Sequence, residues 1–126
     1  MLTAAEAVRQ VSTGGARVAS VVADVSTESG VQSVVDATMA AFGRIDITVN
    51  NVGVGRGGDL EATTDADWRE AFDHTLFPAI RLSRLALPHL RKQGGAILIV
   101  SSIFGRAGAR PGSTRCGTTG ATSTSA

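Results

Sequence analysis

The chain has no tyrosine, one lysine (Lys92), one cysteine (Cys116) and no acidic side chain after Asp73. Without a phenol, no tyrosine can act as a proton donor. A single cysteine excludes an internal disulfide and a metal site built from thiolates. No stretch approaches 18 consecutive apolar residues, so a membrane span is excluded. The opening Met1-Leu2-Thr3-Ala4-Ala5-Glu6-Ala7 has neither a basic region nor an apolar core. It does not read as a secretory signal, and a cytoplasmic location is the expectation. Only two histidines occur, His74 and His89, and no carboxylate or thiol stands at metal-ligand spacing from them. They are expected to face solvent or a partner, and no metal site is expected.

The net charge of +1 conceals a strong asymmetry. Residues 1–73 hold five basic side chains against eleven acidic ones, a balance of −6, while residues 74–126 hold seven basic side chains and carry +7. A basic half can mark a nucleic-acid partner. Here the late charges are spread along a helical stretch and a Gly/Ser/Thr-rich tail with no interleaved aromatics. Binding to nucleic acid is therefore not expected. A chain of 126 residues allows one domain and can bury about two thirds of its unfolded surface.

What is present is an alternation of helix and strand signals. Residues 3–11 read as a helix, with Thr3 as cap and Glu6 three positions on, ended by Gly14-Gly15. Residues 17–23, Arg-Val-Ala-Ser-Val-Val-Ala, read as a strand closed by Asp24-Val25. Ser26 is the expected N-cap of a helix over 27–42, whose Val31, Val34, Val35, Met39 and Phe42 recur at helical spacing before Gly43 stops it. Ile45-Asp46-Ile47-Thr48-Val49-Asn50 reads as a short buried strand, and Gly53 follows it. A second helix opens at Thr64, with Asp67 completing a capping box, and reaches about Lys92. Its apolar stripe includes Trp68, Phe72, Leu76, Leu82 and Leu90; Pro78 and Pro88 should each remove a hydrogen bond and bend it. After Gly94-Gly95, residues 96–100, Ala-Ile-Leu-Ile-Val, read as a fully buried strand. Strands alternating with helices imply a parallel sheet, an α/β fold. Residues 105–126 contain no Leu, Ile, Val, Met or aromatic residue, and this tail is expected to be disordered.

Several residues invite a chemical reading. Asn50 and Asn51 stand together at a strand end, where each amide needs partners. They are either a local turn or the lining of a ligand site, since ligands of open α/β sheets lie beyond the carboxyl ends of the strands. Asp24 occupies the same kind of position on the preceding strand, where it is either a ligand's acceptor or an acidic charge that starts the next helix. Ser102, after the 96–100 strand, is a local cap or a functional hydroxyl. Gly53-Val54-Gly55-Arg56-Gly57-Gly58 satisfies Gly-x-Gly-x-x-Gly, but Asp59, Leu60 and Glu61 follow it. A phosphate loop must open a helix, and this one does not.

Taken together, Gly43-Arg44-Ile45-Asp46, Asn50-Asn51-Val52-Gly53, Trp68 and Val100-Ser101-Ser102-Ile103-Phe104-Gly105 resemble the middle of a short-chain dehydrogenase/reductase. Val52 stands in the Ala place of that family's Asn-Asn-Ala-Gly motif, and the resemblance runs from roughly Ala4 to Arg106. It implies an incomplete Rossmann-like, doubly wound parallel sheet of three strands over residues 1–104. It further implies NAD or NADP as cofactor and hydride transfer to or from a small carbonyl/alcohol substrate. On this resemblance Asp24 and Val25 would meet the adenine, Asn50 would tie adjacent strands, and Asn51, Val52 and Gly53 would line the ribose and nicotinamide side. Ser102 would be catalytic, holding the substrate oxygen. The helix equivalent to 65–92 commonly packs on its copy in a second subunit, so association with another copy or with a full-length relative is implied.

Other parts of the family pattern are missing. No Thr-Gly-x-x-x-Gly-x-Gly loop occurs in the chain. The family's Tyr, 13 residues after the Ser, and its Lys, four further on, correspond to Arg115 and Thr119. Arg115 cannot release a proton at usable pH and Thr119 carries no charge, so the chain is expected to be inactive. Thr75 stands where the family has a proton-relaying Asn. Eleven Arg against one Lys, and the composition of the tail, suggest a truncated or frameshifted reading of a GC-rich gene. In strand order 3-2-1-4-5-6, the 17–23 strand would then lie roughly 14 Å from the 45–50 strand with no ladder between them. The 17–23 strand would then either dock directly on the 45–50 strand or stay loosely attached, and the uncovered apolar surface predicts poor solubility or dependence on a partner.

Overall fold

Helices take up most of the described chain. The computed structural model describes residues 4–12, 14–53 and 61–101. Among these the elements are α1 (Ala4–Ser12), α2 (Glu28–Phe42), β1 (Ile47–Asn50), α3 (Asp65–Gln93) and β2 (Ala96–Ile99). The tail over 105–126 lies outside the described residues. No described helix is long and apolar enough to cross a membrane.

The helix ends follow local chemistry. The N-cap of α2 is Thr27 rather than the expected Ser26: Thr27 Oγ1 accepts from Gly30 N at 3.0 Å. Ser26 instead turns its hydroxyl to Asp24 Oδ1 at 2.6 Å. Gly43, at φ 74°, closes α2 in the left-handed region that glycine enters without strain. Thr64 and Asp67 form the capping box of α3, each holding the other's backbone N–H. The 29-residue α3 runs without interruption through Pro78 and Pro88. Each proline lacks the N–H that the carbonyl four residues back, of His74 or Arg84, would otherwise receive. Pro78 is itself buried, whereas Pro88 is exposed between the buried Ala86 and Leu90.

Gly94 and Gly95 stop α3 for two different reasons. Gly94 adopts φ 66° as the C-cap. A Cβ on Gly95 would collide with the Asp46 carbonyl and come within 2.7 Å of Leu90 Cδ2. The chain can therefore turn into β2 directly against the strand beside it.

β1 and β2 pair in parallel, with Ile47 opposite Ala96, Thr48 opposite Ile97, Val49 opposite Leu98 and Asn50 opposite Ile99. The ladder continues one step each way, through Ala96 N to Asp46 O and Val100 N to Asn50 O. Helix α3 lies against both strands and against α2. The buried core is Val35 of α2, Ile45, and Ala86 and Leu90 of α3, with Met39, Leu82, Leu85 and Ile97 packed around it. Alternation along β1 puts Thr48 and Asn50 on the covered side and leaves Ile47 and Val49 exposed.

Two expectations about strands fail for one physical reason. Residues 17–23 form no strand: they have no ladder, and Val22 is 96% exposed. Extended backbone needs a neighbour to become a strand, and the only described sheet has two members. Arg17 anchors the start of this segment, donating to Ala41 O at 2.7 Å and lying over the Phe42 ring. β2, expected to be fully buried, is exposed at Leu98 and Ile99, with Val100 exposed beyond it. Among the described residues, helices cover only one face of the sheet. Helix α1 packs on no other described element.

Leu90 is 1% exposed, so Leu90→Ala should destabilise the fold by about 2–5 kcal/mol. Thr48 Oγ1 is buried without a partner, so Thr48→Val should raise stability by about 1 kcal/mol. Denaturant unfolding followed by circular dichroism measures both, and opposite signs are the expected outcome.

Candidate functional site at the carboxyl edge of the sheet

Parallel pairing brings the carboxyl ends of β1 and β2 out side by side. Asn50 is buried, and its Nδ2 donates to Leu98 O at 3.4 Å, so its amide joins the two strands. Asn51, Val52 and Gly53 follow directly and are exposed. Alternation explains the different fates of the two asparagines: one faces the helices, the next faces out. Across the ladder Val100 and Ser101 emerge beside them, both exposed. Ser102 lies outside the described residues, as do the glycine-rich 54–60 loop and the positions of Arg115 and Thr119. A Cβ at Gly53 would meet nothing within 4 Å among the described residues.

Asp24 and Val25 occupy the turn that leads into α2. Asp24 Oδ1 accepts from both the backbone N–H (3.0 Å) and the hydroxyl of Ser26, while its carbonyl accepts from Thr27 N at 3.1 Å and from Thr27 Oγ1 at 2.8 Å. Gly30 packs so closely on this carbonyl that any Cβ there would overlap it. The hydroxyl of Ser26 holds the Asp24 carboxyl below its ordinary value of 3.8; the Ser26 N–H adds to this, as does the charge of His74 on α3, against a small opposing effect of burial. Asp24 is thus an exposed anion whose second oxygen, Oδ2, meets no donor among the described residues.

Helix α3 contributes a polar stripe toward this turn that local sequence signals did not reveal. Arg81 donates to Ser26 O, and Arg84 pairs with Glu28 at 2.8 Å. Thr75 turns its hydroxyl back to Ala71 O in its own helix. Trp68 and Phe72 stack at a tilt of 35° near the start of α3. No group of three or more His, Cys, Asp or Glu side chains among the described residues could hold a metal.

The donor set suits parts of a dinucleotide unequally. An acceptor-only carboxylate at Asp24 fits an exocyclic amino group, and the bare backbone at Gly53 fits a sugar or a flat ring. Among the described residues a pyrophosphate finds no cradle: the first turns of α1, α2 and α3 carry Glu6, Glu28, and Asp65 with Asp67. Carboxylates there occupy the positive end of each helix dipole and repel phosphate.

Because its folded-state midpoint is lowered, the Asp24 carboxylate stabilises the turn above the ordinary carboxylate range, and this is lost as pH falls through the depressed midpoint. Ser26→Ala removes the largest cause and should move the midpoint upward, toward 3.8. A carboxyl-detected NMR titration measures the shift; an unchanged midpoint contradicts the assignment.

Comparison with known proteins places this geometry in a family. The short chain dehydrogenase family matches residues 2–119. L-fucose dehydrogenase of Rattus norvegicus is 37% identical over 99 residues, covering 78% of this chain and 37% of the relative. Among solved structures, a 7 alpha-hydroxysteroid dehydrogenase complexed with NADH and 7-oxo glycochenodeoxycholic acid superposes with a TM-score of 0.78 at 27% identity, covering 84% of this chain and 42% of that one. L-sorbose reductase from Gluconobacter frateurii, complexed with NADPH and L-sorbose, gives 0.75 at 35% identity, covering 81% and 40%. The chain therefore spans less than half the length of these proteins. With the Asn-Asn-Val-Gly turn and the parallel βαβ unit in the expected order, the match covers nearly the whole chain: it belongs to the short chain dehydrogenase family.

Proposed function

We propose that this chain carries the middle of an NAD(P)-dependent oxidoreductase domain and does not itself catalyse hydride transfer. The observation that supports the site is the shared carboxyl edge, where the exposed Asn51-Val52-Gly53 turn and Ser101 emerge from paired parallel strands. In this reading Asp24 and Val25 hold the adenine side, with the free Asp24 Oδ2 accepting from the amino group. Asn51, Val52 and Gly53 line the ribose and nicotinamide side, and Ser102 donates a hydrogen bond to the substrate oxygen. A bound nicotinamide would supply or accept the hydride. Sugar and steroid alcohols are both named among the similar proteins, so the proposed substrate class is the carbonyl/alcohol pair itself.

Inactivity rests on residue chemistry. Reducing a carbonyl requires a proton for the developing alkoxide, and the chain offers no phenol; Arg115 and Thr119 cannot replace the tyrosine and lysine of the family. Among the described residues the acidic helix N-termini offer the pyrophosphate no partner, so affinity for the whole dinucleotide should be weak. Purified protein incubated with NADH or NADPH and a panel of ketones should show no oxidation above the blank; sustained turnover would overturn the proposal.

A second reading, a non-catalytic interaction role, is favoured by one observation. Leu76, Phe77 and Ile80 of α3 are 47%, 40% and 46% exposed and form an apolar patch on its outer side. Through this helix the chain would associate with another copy or with a full-length relative. Co-expression with such a relative should yield a complex that Ile80→Glu disrupts, a large effect if the side chain is buried at the contact. A complex that survives the substitution undamaged would locate the contact elsewhere.

A further inference from the structure

One polar contact links the middle of α3 to the turn carrying Asp24 and Val25, across 55 residues of sequence. Arg81, half-buried, donates from Nη1 to the carbonyl of Ser26, with its guanidinium 5.1 Å from the centre of the Phe77 ring. Ser26 immediately precedes the N-cap, so its carbonyl lies outside the α2 ladder, whose first bond runs from Val31 N to Thr27 O. Arg81 therefore supplies a donor that the helix does not.

A cation near the N-terminus of α2 is electrostatically unfavourable in itself, since that end of the helix is already positive. Its presence is explained by the carbonyl it holds and the aromatic face it covers. Arg84, one turn further along, reaches the same region through Glu28, but both partners are largely exposed, at 62% and 69%. Such pairs contribute little in water. Of the two cations, Arg81 is the one that fixes the backbone.

We propose that Arg81 is a positioning residue for the adenine-side site: by gripping Ser26 O it holds the Asp24–Thr27 turn in the form that leaves Asp24 Oδ2 free. Ser26 is the pivot. Its N–H and hydroxyl go to Asp24 Oδ1 while its carbonyl goes to Arg81. If Ser26 swings away, the carboxylate loses both donors. This role rests on the dinucleotide reading above, and two kinds of measurement separate them.

The first needs no ligand. In Arg81→Met, which keeps the apolar stem, amide exchange at Thr27 and Gly30 should accelerate about ten-fold, the effect of one charge-assisted hydrogen bond. The Asp24 titration midpoint should rise toward its ordinary value. Arg81→Lys should restore both, Arg84→Met should alter neither, and far-UV circular dichroism should stay constant across the set. Unchanged exchange and midpoint in Arg81→Met, or equal effects from Arg84→Met, would overturn the proposal.

The second measurement uses AMP as probe and follows the Asp24 and Val25 amide resonances of the full chain. Shifts in the parent protein that vanish in Arg81→Met and return in Arg81→Lys support the role; shifts that persist in Arg81→Met overturn it. If the parent shows no AMP shift, the dinucleotide reading has failed, and the exchange and titration results alone decide whether Arg81 positions the turn.

Discussion

The described fold depends on one packing event: α3 sets Ala86 and Leu90 against Val35 of α2 and Ile45 at the entrance to β1. Two four-residue strands cannot hold themselves together in water, and a lone parallel pair is weaker than most. Burying a helix across both strands supplies the apolar area that the ladder lacks. The same helix orders α2, and α2 in turn orders the segment that leads to it, through Arg17 on Phe42 and Ala41. The candidate site is downstream of this core. The Asn51–Gly53 turn stands where it does because β1 is pressed against α3, and the Asp24 turn because α2 is.

Covering only one side of the sheet explains much of the chain's surface. Ile47, Val49 and Leu98 have the composition of interior strands yet meet solvent at half their area or more. The matched members of the same family are about twice as long, so extra chain is available to them for the opposite layer. Electrostatics act at shorter range. Acidic side chains sit in the first turn of each described helix, which suits helix stability and opposes any phosphate.

How much was readable from sequence depended on how local the cause was. Gly43, Gly94 and the Thr64/Asp67 pair act within a few residues, and the ends of α2 and α3 were visible in their spacing. The choice between Ser26 and Thr27 as cap was not, because both hydroxyls suit the role and Asp24 decides it by engaging the first. Residues 17–23 have every mark of a strand; what they lack is a neighbour, and sequence pattern does not report one. The apolar run 96–100 shows that a strand can be buried, not that anything covers it. The paired asparagines were legible as the end of a strand, and alternation across the sheet then gave them separate surroundings. Arg81 and Arg84 were not legible at all: on the helix they resemble solvated charges, and their partners lie 55 and 56 residues away.

The missing side chain at Gly95 also governs which face of β2 points inward. Because the chain there runs flush against Asp46, β2 enters the sheet at a fixed step, with Ala96 bonded to Asp46 and Ile97 turned toward the helices. Inserting or deleting one residue at this junction would exchange the two faces, sending Ile97 to solvent and Leu98 under α3. Ser101 would rotate with them to the far side of the edge. A position with no functional group of its own thereby sets which way the strand that follows it faces.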